Sequence, residues 1–295
     1  MNFDLRINGI DIVRNEPLSR HTSFGIGGTA EYFVYVNTLE ALCETLSYLS
    51  SRNIPYFVMG DGTNLLIADH DFDTVFLKLS GDFRKTEYRD ELITCGSAVR
   101  LSDLAKETLR AGYGGLETIG SVPGTVGGAA IMNAGVRYYD FSSYVYEIGV
   151  ADRKGNHFIL PKEKCGYSYR ESIFQYTDEY IITHATLRLK KCNTEPLWQI
   201  LQESIDRRKQ TQPKGKSAGC FFKNSNNMSS GKLIEECGLK GTNINDAYVA
   251  NEHGNFIMNR GSATAEDVLA LARKIKAEVK KQKGCDLQYE VRIIK

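Results

Sequence analysis

The segment Tyr167-Ser168-Tyr169-Arg170-Glu171-Ser172 sets one guanidinium among aromatic rings. Such a setting can hold an arginine rigid and present two N–H donors to a carboxylate. The alternative is a surface ion pair with a neighbouring acid, which the motif alone favours. Ser217-Ala218-Gly219-Cys220-Phe221-Phe222-Lys223-Asn224 places a thiol between glycine and aromatics, with a cation and an amide just behind. It reads either as a proton donor beside an anion site or as a small buried apolar side chain, the commoner fate of a free cysteine. Glu290, in Tyr289-Glu290-Val291-Arg292-Ile293-Ile294, is a carboxylate inside an apolar terminal run. Burial there would be unusual. Strand alternation puts Glu290 and Arg292 on one face, so an exposed Glu/Arg face is the plainer alternative.

Two glycine-rich stretches carry no reactive group but suit a ligand. Gly60-Asp61-Gly62-Thr63-Asn64 follows an apolar strand, and small residues let backbone N–H groups approach an anion. It reads equally as a tight turn between strands. It is neither the G-x-G-x-x-G of a dinucleotide fold nor a P-loop. Gly120 to Gly135 holds five glycines and no charge in 16 residues, and includes Pro123, Gly124, Thr125, Gly127, Gly128 and Ala129. This run suits backbone packed against a flat, partly apolar ligand; a buried glycine-rich helix contact is the alternative. The histidines show neither metal-ligand spacing nor a nucleophile partner, so no metal is expected.

The elements that must position these residues alternate between helix and strand. Asn37 should cap a helix, with Glu40 three residues on and Leu39, Leu42, Leu46 and Leu49 on one face. Strands are expected at Tyr56–Met59, Leu65–Ile67 and Val75–Leu77, and a helix from Leu101 to Arg110 stopped by Gly112. Strands then surround the turn Lys154-Gly155-Asn156, and a long strand runs from Tyr180 to Lys190. Beyond it, helices begin at Thr194-Glu195-Pro196, at Ser230 and at Thr264, and Tyr289 to Ile294 closes the chain as a strand. The class is α+β with mixed sheets, and a boundary falls near residue 191, where strand-rich alternation gives way to helices.

Composition limits the rest. The 295 residues exceed what one core usually serves, roughly 250–300 residues at most, so two or three units are expected. A net charge of +1 points to no polyanion such as nucleic acid. No apolar run is long enough to span a bilayer, and Met1-Asn2-Phe3-Asp4 does not begin like a signal peptide. Seven scattered cysteines with no C-x-x-C pair fit reduced thiols in a cytosol.

The order of the motifs is more specific than any one of them. His21 to Gly28, Gly60 to Leu66, Gly120 to Gly135, Tyr169-Arg170, Ser217 to Asn224, Gly231 to Glu235 and Glu290-Val291-Arg292 together resemble the UDP-N-acetylenolpyruvoylglucosamine reductase family, from end to end. The resemblance implies an FAD-binding domain of the vanillyl-alcohol-oxidase type over 1–190, in two α/β subdomains split near residue 80. A C-terminal α+β substrate domain over 191–295 would follow. It implies non-covalent FAD, NADPH as reductant, and reduction of the enolpyruvyl double bond of a UDP-sugar in cell-wall precursor synthesis. It further implies that Gly60, Asp61, Gly62, Thr63, Asn64 and Leu65 hold the FAD pyrophosphate through backbone amides. The run Pro123 to Ala129 would lie near the flavin and its phosphates. Arg170 and Glu290 match the pair that steadies an enolate, Glu290 protonated or orienting another donor, so a raised pKa is expected there. Cys220 matches the proton donor, and Tyr169, Lys223 and Asn224 match substrate contacts. A cytosolic monomer or weak oligomer is the expected state.

Three features depart from the family pattern. Cys220 stands where serine is commoner, although a thiol is the better acid. The stretch from Arg170 to Cys220 leaves no room for a tyrosine-bearing lid loop. Val136-Arg137-Tyr138-Tyr139 replaces small residues after Gly135. Two rival readings are a flavin oxidase of the same fold with covalent flavin, and a non-catalytic nucleotide-binding protein. The first lacks a linking histidine within Gly60 to Leu66; retention of Arg170, Cys220 and Glu290 weighs against the second.

Overall fold

The computed structural model describes residues 5–136, 138–224 and 228–295. Met1-Asn2-Phe3-Asp4 and Arg137, on which expectations were placed, lie outside the described residues. The fold is α+β, and the chain divides into two compact units built from interleaved stretches. One takes residues up to 14, 31–60 and 73–206; the other takes 15–30, 61–72 and 207–295. The second unit therefore recruits two short N-terminal stretches that a division at residue 191 leaves with the first part.

Two larger sheets organise the first unit. In one, strands are ordered Ile10–Pro17, Thr29–Val36, Val75–Leu79, Tyr56–Met59, with the last three parallel to one another. Helix α1 (Leu39–Ser51) buries Leu42, Leu46 and Leu49 in the same core as Val34, Val36, Val75 and Leu77. That i, i+4, i+7 spacing gives one apolar stripe. The second sheet is antiparallel, ordered His157–Pro161, Val145–Asp152, Tyr180–Arg188, Leu92–Gly96, Thr86–Arg89. Its core takes Leu101, Leu104 and Ala105 from α2 (Leu101–Arg110), and Val126, Ala129 and Ala130 from α3 (Val126–Met132). Helix α4 (Glu195–Thr211) begins in this unit and buries only Leu201 among its residues, not Leu197 or Ile205.

The second unit is organised by α6 (Ala265–Lys283). Val268, Leu271, Ala272, Ile275 and Val279 form its buried stripe against Leu66, Phe221, Phe222 and Ile257. Thr264 and Asp267 form a capping box, satisfying donors that the helix leaves open at its start. A short helix α5 (Ser230–Glu236) packs beside it. An antiparallel sheet runs Lys216–Cys220, Phe256–Asn259, Ala247–Val249, Asn243–Ile244, and Arg292–Ile294 pairs in parallel with Leu65–Ile67. Among the described residues no helix is long and apolar enough to cross a membrane.

Three local expectations shift. Thr38, not Asn37, caps α1: its hydroxyl accepts from Ala41 N, while the Asn37 amide donates to Asp11. Ser229, not Ser230, caps α5, because the Ser230 hydroxyl is drawn to the Lys223 carbonyl at 2.5 Å. The closing strand covers only Arg292–Ile294; Tyr289 makes an isolated bridge to Phe222 instead.

Candidate active site

Arg170 sits in a two-residue turn. Ser168 and Glu171 exchange backbone hydrogen bonds of 3.1 and 3.2 Å, leaving Tyr169 and Arg170 at the tip. Arg170 adopts φ +55°, a left-handed conformation uncommon for a non-glycine residue. Such backbone persists only where surroundings over-determine it. Here the Gln175 amide donates to the Arg170 carbonyl at 2.9 Å, and the Asn133 amide donates to Ser168 O at 2.7 Å. The guanidinium is held as firmly. Nη1 donates to Asn133 O at 3.1 Å and to Asp140 Oδ1 at 2.9 Å, and Nη2 donates to Gly135 O at 2.5 Å. Tyr169 is exposed, and its ring centre lies 5.1 Å from the guanidinium carbon. The surface ion pair considered for this motif is thus a partly enclosed one, with Asp140 as the partner.

The carbonyls that hold Arg170 come from the end of the glycine-rich run. Thr125 caps α3 by accepting from Gly128 N, and Asn133, itself left-handed, ends it. The long uncharged stretch is therefore a short helix as well as a glycine-rich packing surface. A Cβ on Gly127 would fall 2.9 Å from Ser97 Cβ, and one on Gly60 would fall 2.7 Å from Thr125 Oγ1. Ser97 Oγ is buried with no hydrogen-bond partner among the described residues. Glycine is required at both positions because the chain packs closely on itself there, and the unsatisfied Ser97 hydroxyl beside Gly127 fits a bound group with polar atoms such as a dinucleotide cofactor.

Cys220 and Glu290 belong to the second unit, and the structure brings their segments together there. Cys220 is half-buried and pairs with Phe256 after a register shift that includes left-handed Gly219. A bulge of this kind re-aims the side chain that follows it. Phe221 and Phe222 are both fully buried, clamped by Asn255: Phe221 N donates to Asn255 O at 2.8 Å, and Phe222 N to Asn255 Oδ1 at 2.9 Å. Glu290 N donates to Phe221 O at 2.9 Å, which seats the carboxylate's residue one position from the thiol's. Glu290 is half-buried, so neither a fully buried carboxylate nor an open Glu/Arg face describes it.

The glycine turn continues into this unit. Gly62 has φ +62°, and a Cβ there would clash with the His21 carbonyl. The Asn64 amide donates to Glu290 O at 3.1 Å, and Arg292 N donates to Asn64 O at 3.0 Å. Leu65 then opens the strand paired with Arg292. Lys223 N donates to Gln288 O at 2.8 Å, and Asn224 spends its carbonyl oxygen on Ser230 N at 3.0 Å.

Sequence reasoning missed Asp140, Asn133, Gln175, Asn255 and Arg208. The first four act through backbone groups or across long separations, and no spacing rule announces them. Arg208 lies within electrostatic reach of Cys220: burial pushes its guanidinium below the usual range, and the nearby Cys220 acts in the opposite direction.

Comparison with known proteins gives the family of the chain. Residues 30–160 match the family model described as the FAD binding domain. Residues 210–294 match that of the UDP-N-acetylenolpyruvoylglucosamine reductase C-terminal domain. The chain is 37% identical over 281 residues to the UDP-N-acetylenolpyruvoylglucosamine reductase of Caldanaerobacter subterraneus subsp. tengcongensis, covering 95% of this chain and 92% of that one. The same-named protein of Anoxybacillus flavithermus is 36% identical over 291 residues, 98% of this chain and 96% of that one. The crystal structure of UDP-N-acetylenolpyruvylglucosamine reductase from Thermus caldophilus superposes with a TM-score of 0.82 at 35% identity, covering 97% of this chain and 99% of that one. With relatives more than a third identical along almost its whole length, the chain belongs to the UDP-N-acetylenolpyruvoylglucosamine reductase family.

Proposed function

We propose that this chain reduces the enolpyruvyl double bond of UDP-N-acetylenolpyruvoylglucosamine, giving UDP-N-acetylmuramate for the cell wall. FAD, when bound, supplies two-electron hydride chemistry, with NADPH as the source of the electrons. Backbone amides from Gly60 to Leu65 would hold its pyrophosphate, and Pro123 to Ala129 would lie along the flavin and its phosphates. Hydride arrival at one alkene carbon puts negative charge on the carbon that bears the carboxylate. Arg170, with its guanidinium already fixed, and Glu290, either protonated or orienting another donor, meet that charge by hydrogen bonding. Cys220 then gives its Sγ proton to the second carbon, which completes the addition of one hydride and one proton. Tyr169, Lys223 and Asn224 contact the substrate, Asn224 through its amide nitrogen.

The observation that carries this reading is the shared scaffold of the second unit. Asn64 of the glycine turn bonds to Glu290, and Glu290 bonds to the residue after Cys220. A cofactor turn, a carboxyl and a thiol are thereby set by one hydrogen-bonded framework. The family-model matches at 30–160 and 210–294 support an FAD-binding part followed by a C-terminal substrate part, the latter sharing its compact unit with residues 15–30 and 61–72. Free thiols at all seven cysteines support a cytosolic protein; a monomer or weak oligomer is the state proposed for it.

Anaerobic half-reaction spectroscopy tests the proposal. NADPH should bleach the flavin, and the UDP-enolpyruvyl sugar should restore its colour with formation of UDP-N-acetylmuramate. Flavin that stays with the denatured chain would favour the covalent oxidase. A protein that bleaches but never recolours with the sugar would refute the assigned acceptor.

A further inference from the structure

We propose that Asp140 is a positioning residue for Arg170, holding the guanidinium ready before negative charge develops on the substrate. This rests on the role given to Arg170 above and adds a second residue to it. Asp140 Oδ1 accepts from Arg170 Nη1 at 2.9 Å, and the two side chains are 30% and 15% exposed. An enclosed, charge-assisted contact of this kind fixes geometry more than an exposed pair does.

The carboxylate is itself placed by a short hairpin. Asp140 pairs across it with Gly135, whose carbonyl takes the other end of the same guanidinium. A Cβ on Gly135 would clash with Asp140 Oδ1 and the Tyr139 carbonyl, so the hairpin closes this tightly only around glycine. Asn133 binds both flanks, with Oδ1 accepting from Ser142 N at 2.9 Å and Nδ2 donating to Ser168 O at 2.7 Å. Two carbonyls and one carboxylate thus converge on one guanidinium. Of the three, only Asp140 contributes charge and only Asp140 contributes a side chain.

That charge gives the inference a directional signature. A carboxylate next to Arg170 works against binding of an anionic substrate, while its hold on the guanidinium favours the reaction. Removing it should therefore separate binding from turnover. A scaffold residue would not do this, because its loss weakens both.

The holoenzymes of Asp140→Asn and Asp140→Ala are compared with the wild type. Calorimetry without NADPH measures affinity for the UDP-enolpyruvyl sugar, and stopped-flow absorbance follows flavin reduction and reoxidation. Substrate affinity should stay equal or rise, and reduction by NADPH should stay within about twofold. Reoxidation should slow roughly 10-fold in Asp140→Asn, which keeps shape and acceptor, and roughly 100-fold in Asp140→Ala, the scale of an angstrom-sized misplacement. Arg170→Met/Asp140→Ala should reoxidise no more slowly than Arg170→Met alone. Native reoxidation in both Asp140 variants, or parallel loss of binding, reduction and reoxidation, overturns the inference. Native reoxidation in Arg170→Met overturns the underlying role of Arg170; a slow Arg170→Met beside native Asp140 variants overturns the positioning role alone.

Discussion

The side-chain amide of Asn64 donates to the main-chain carbonyl of Glu290 across 226 positions of sequence, at 3.1 Å. The turn assigned to the cofactor and the segment that carries Glu290 are therefore one hydrogen-bonded piece. Replacing Asn64 by alanine leaves that partly buried carbonyl short of a donor, a loss of about 1 kcal/mol. Asn64→Ala should melt a few degrees lower, keep less FAD after gel filtration, and reoxidise more slowly with substrate. Full flavin content with an unchanged melting temperature would contradict this coupling.

Cys220 separates proton delivery from hydride supply. Cys220→Ala should accept electrons from NADPH at a near-normal rate but fail to discharge them to substrate, with a loss of about 100-fold or more. Cys220→Ser should remain active, with an altered pH dependence, because a hydroxyl can donate from the same atom position. Equal loss of both half-reactions in the alanine variant would make the thiol structural, and an inert serine variant would remove it from the proton step.

Gly135 tests the hairpin that receives Arg170. Gly135→Ala forces a methyl against Asp140 Oδ1 and the Tyr139 carbonyl. Overpacking of this kind costs about 1–3 kcal/mol, and relieving it moves the Gly135 backbone, whose own carbonyl accepts from Arg170 Nη2. Thermal melting should register the destabilisation, and reoxidation by substrate should suffer more than reduction by NADPH. A variant with native stability and native reoxidation would show that the hairpin has slack.

Histidines with lowered pKa values, His157 and His184 among them, set an acid limit on stability. Burial pushes His157 and His184 below the ordinary imidazole range, and at His184 the nearby charge of His157 adds to the effect. Both are held neutral in the fold, so the unfolded chain binds more protons as pH falls. Their contribution is present above the unfolded value of about 6.5 and declines as pH drops towards the lower folded values. Melting temperature should fall between about pH 7 and pH 5, and His157→Gln should flatten that slope. A pH-independent melting temperature across this window would count against the assignment.

Elements with a strong local signal were legible in the sequence. The strand Tyr56–Met59, the helix Leu101–Arg110 and the Thr264 cap follow from apolar period and capping chemistry. Errors fell where two polar residues compete for one cap, as Thr38 with Asn37 and Ser229 with Ser230. Only tertiary partners such as Asp11 and the Lys223 carbonyl decide those cases. The interleaving of the two units was not legible either, since short stretches such as 61–72 give no sign of which core they join. Reactive residues announced themselves by type, whereas Asp140 and Asn255 did not, because their importance lies in what they touch.

The parallel pairing of Leu65–Ile67 with Arg292–Ile294 has a consequence for biogenesis. A nascent chain exposes the earlier strand long before its partner has been translated, and an unfilled edge of this kind invites mispairing. Closure of so long a loop is entropically slow to find, so docking of the late strand is a candidate slow step in maturation. Until it docks, the residue before Val291 has no fixed place, and the newborn protein lacks a poised acid partner for its chemistry.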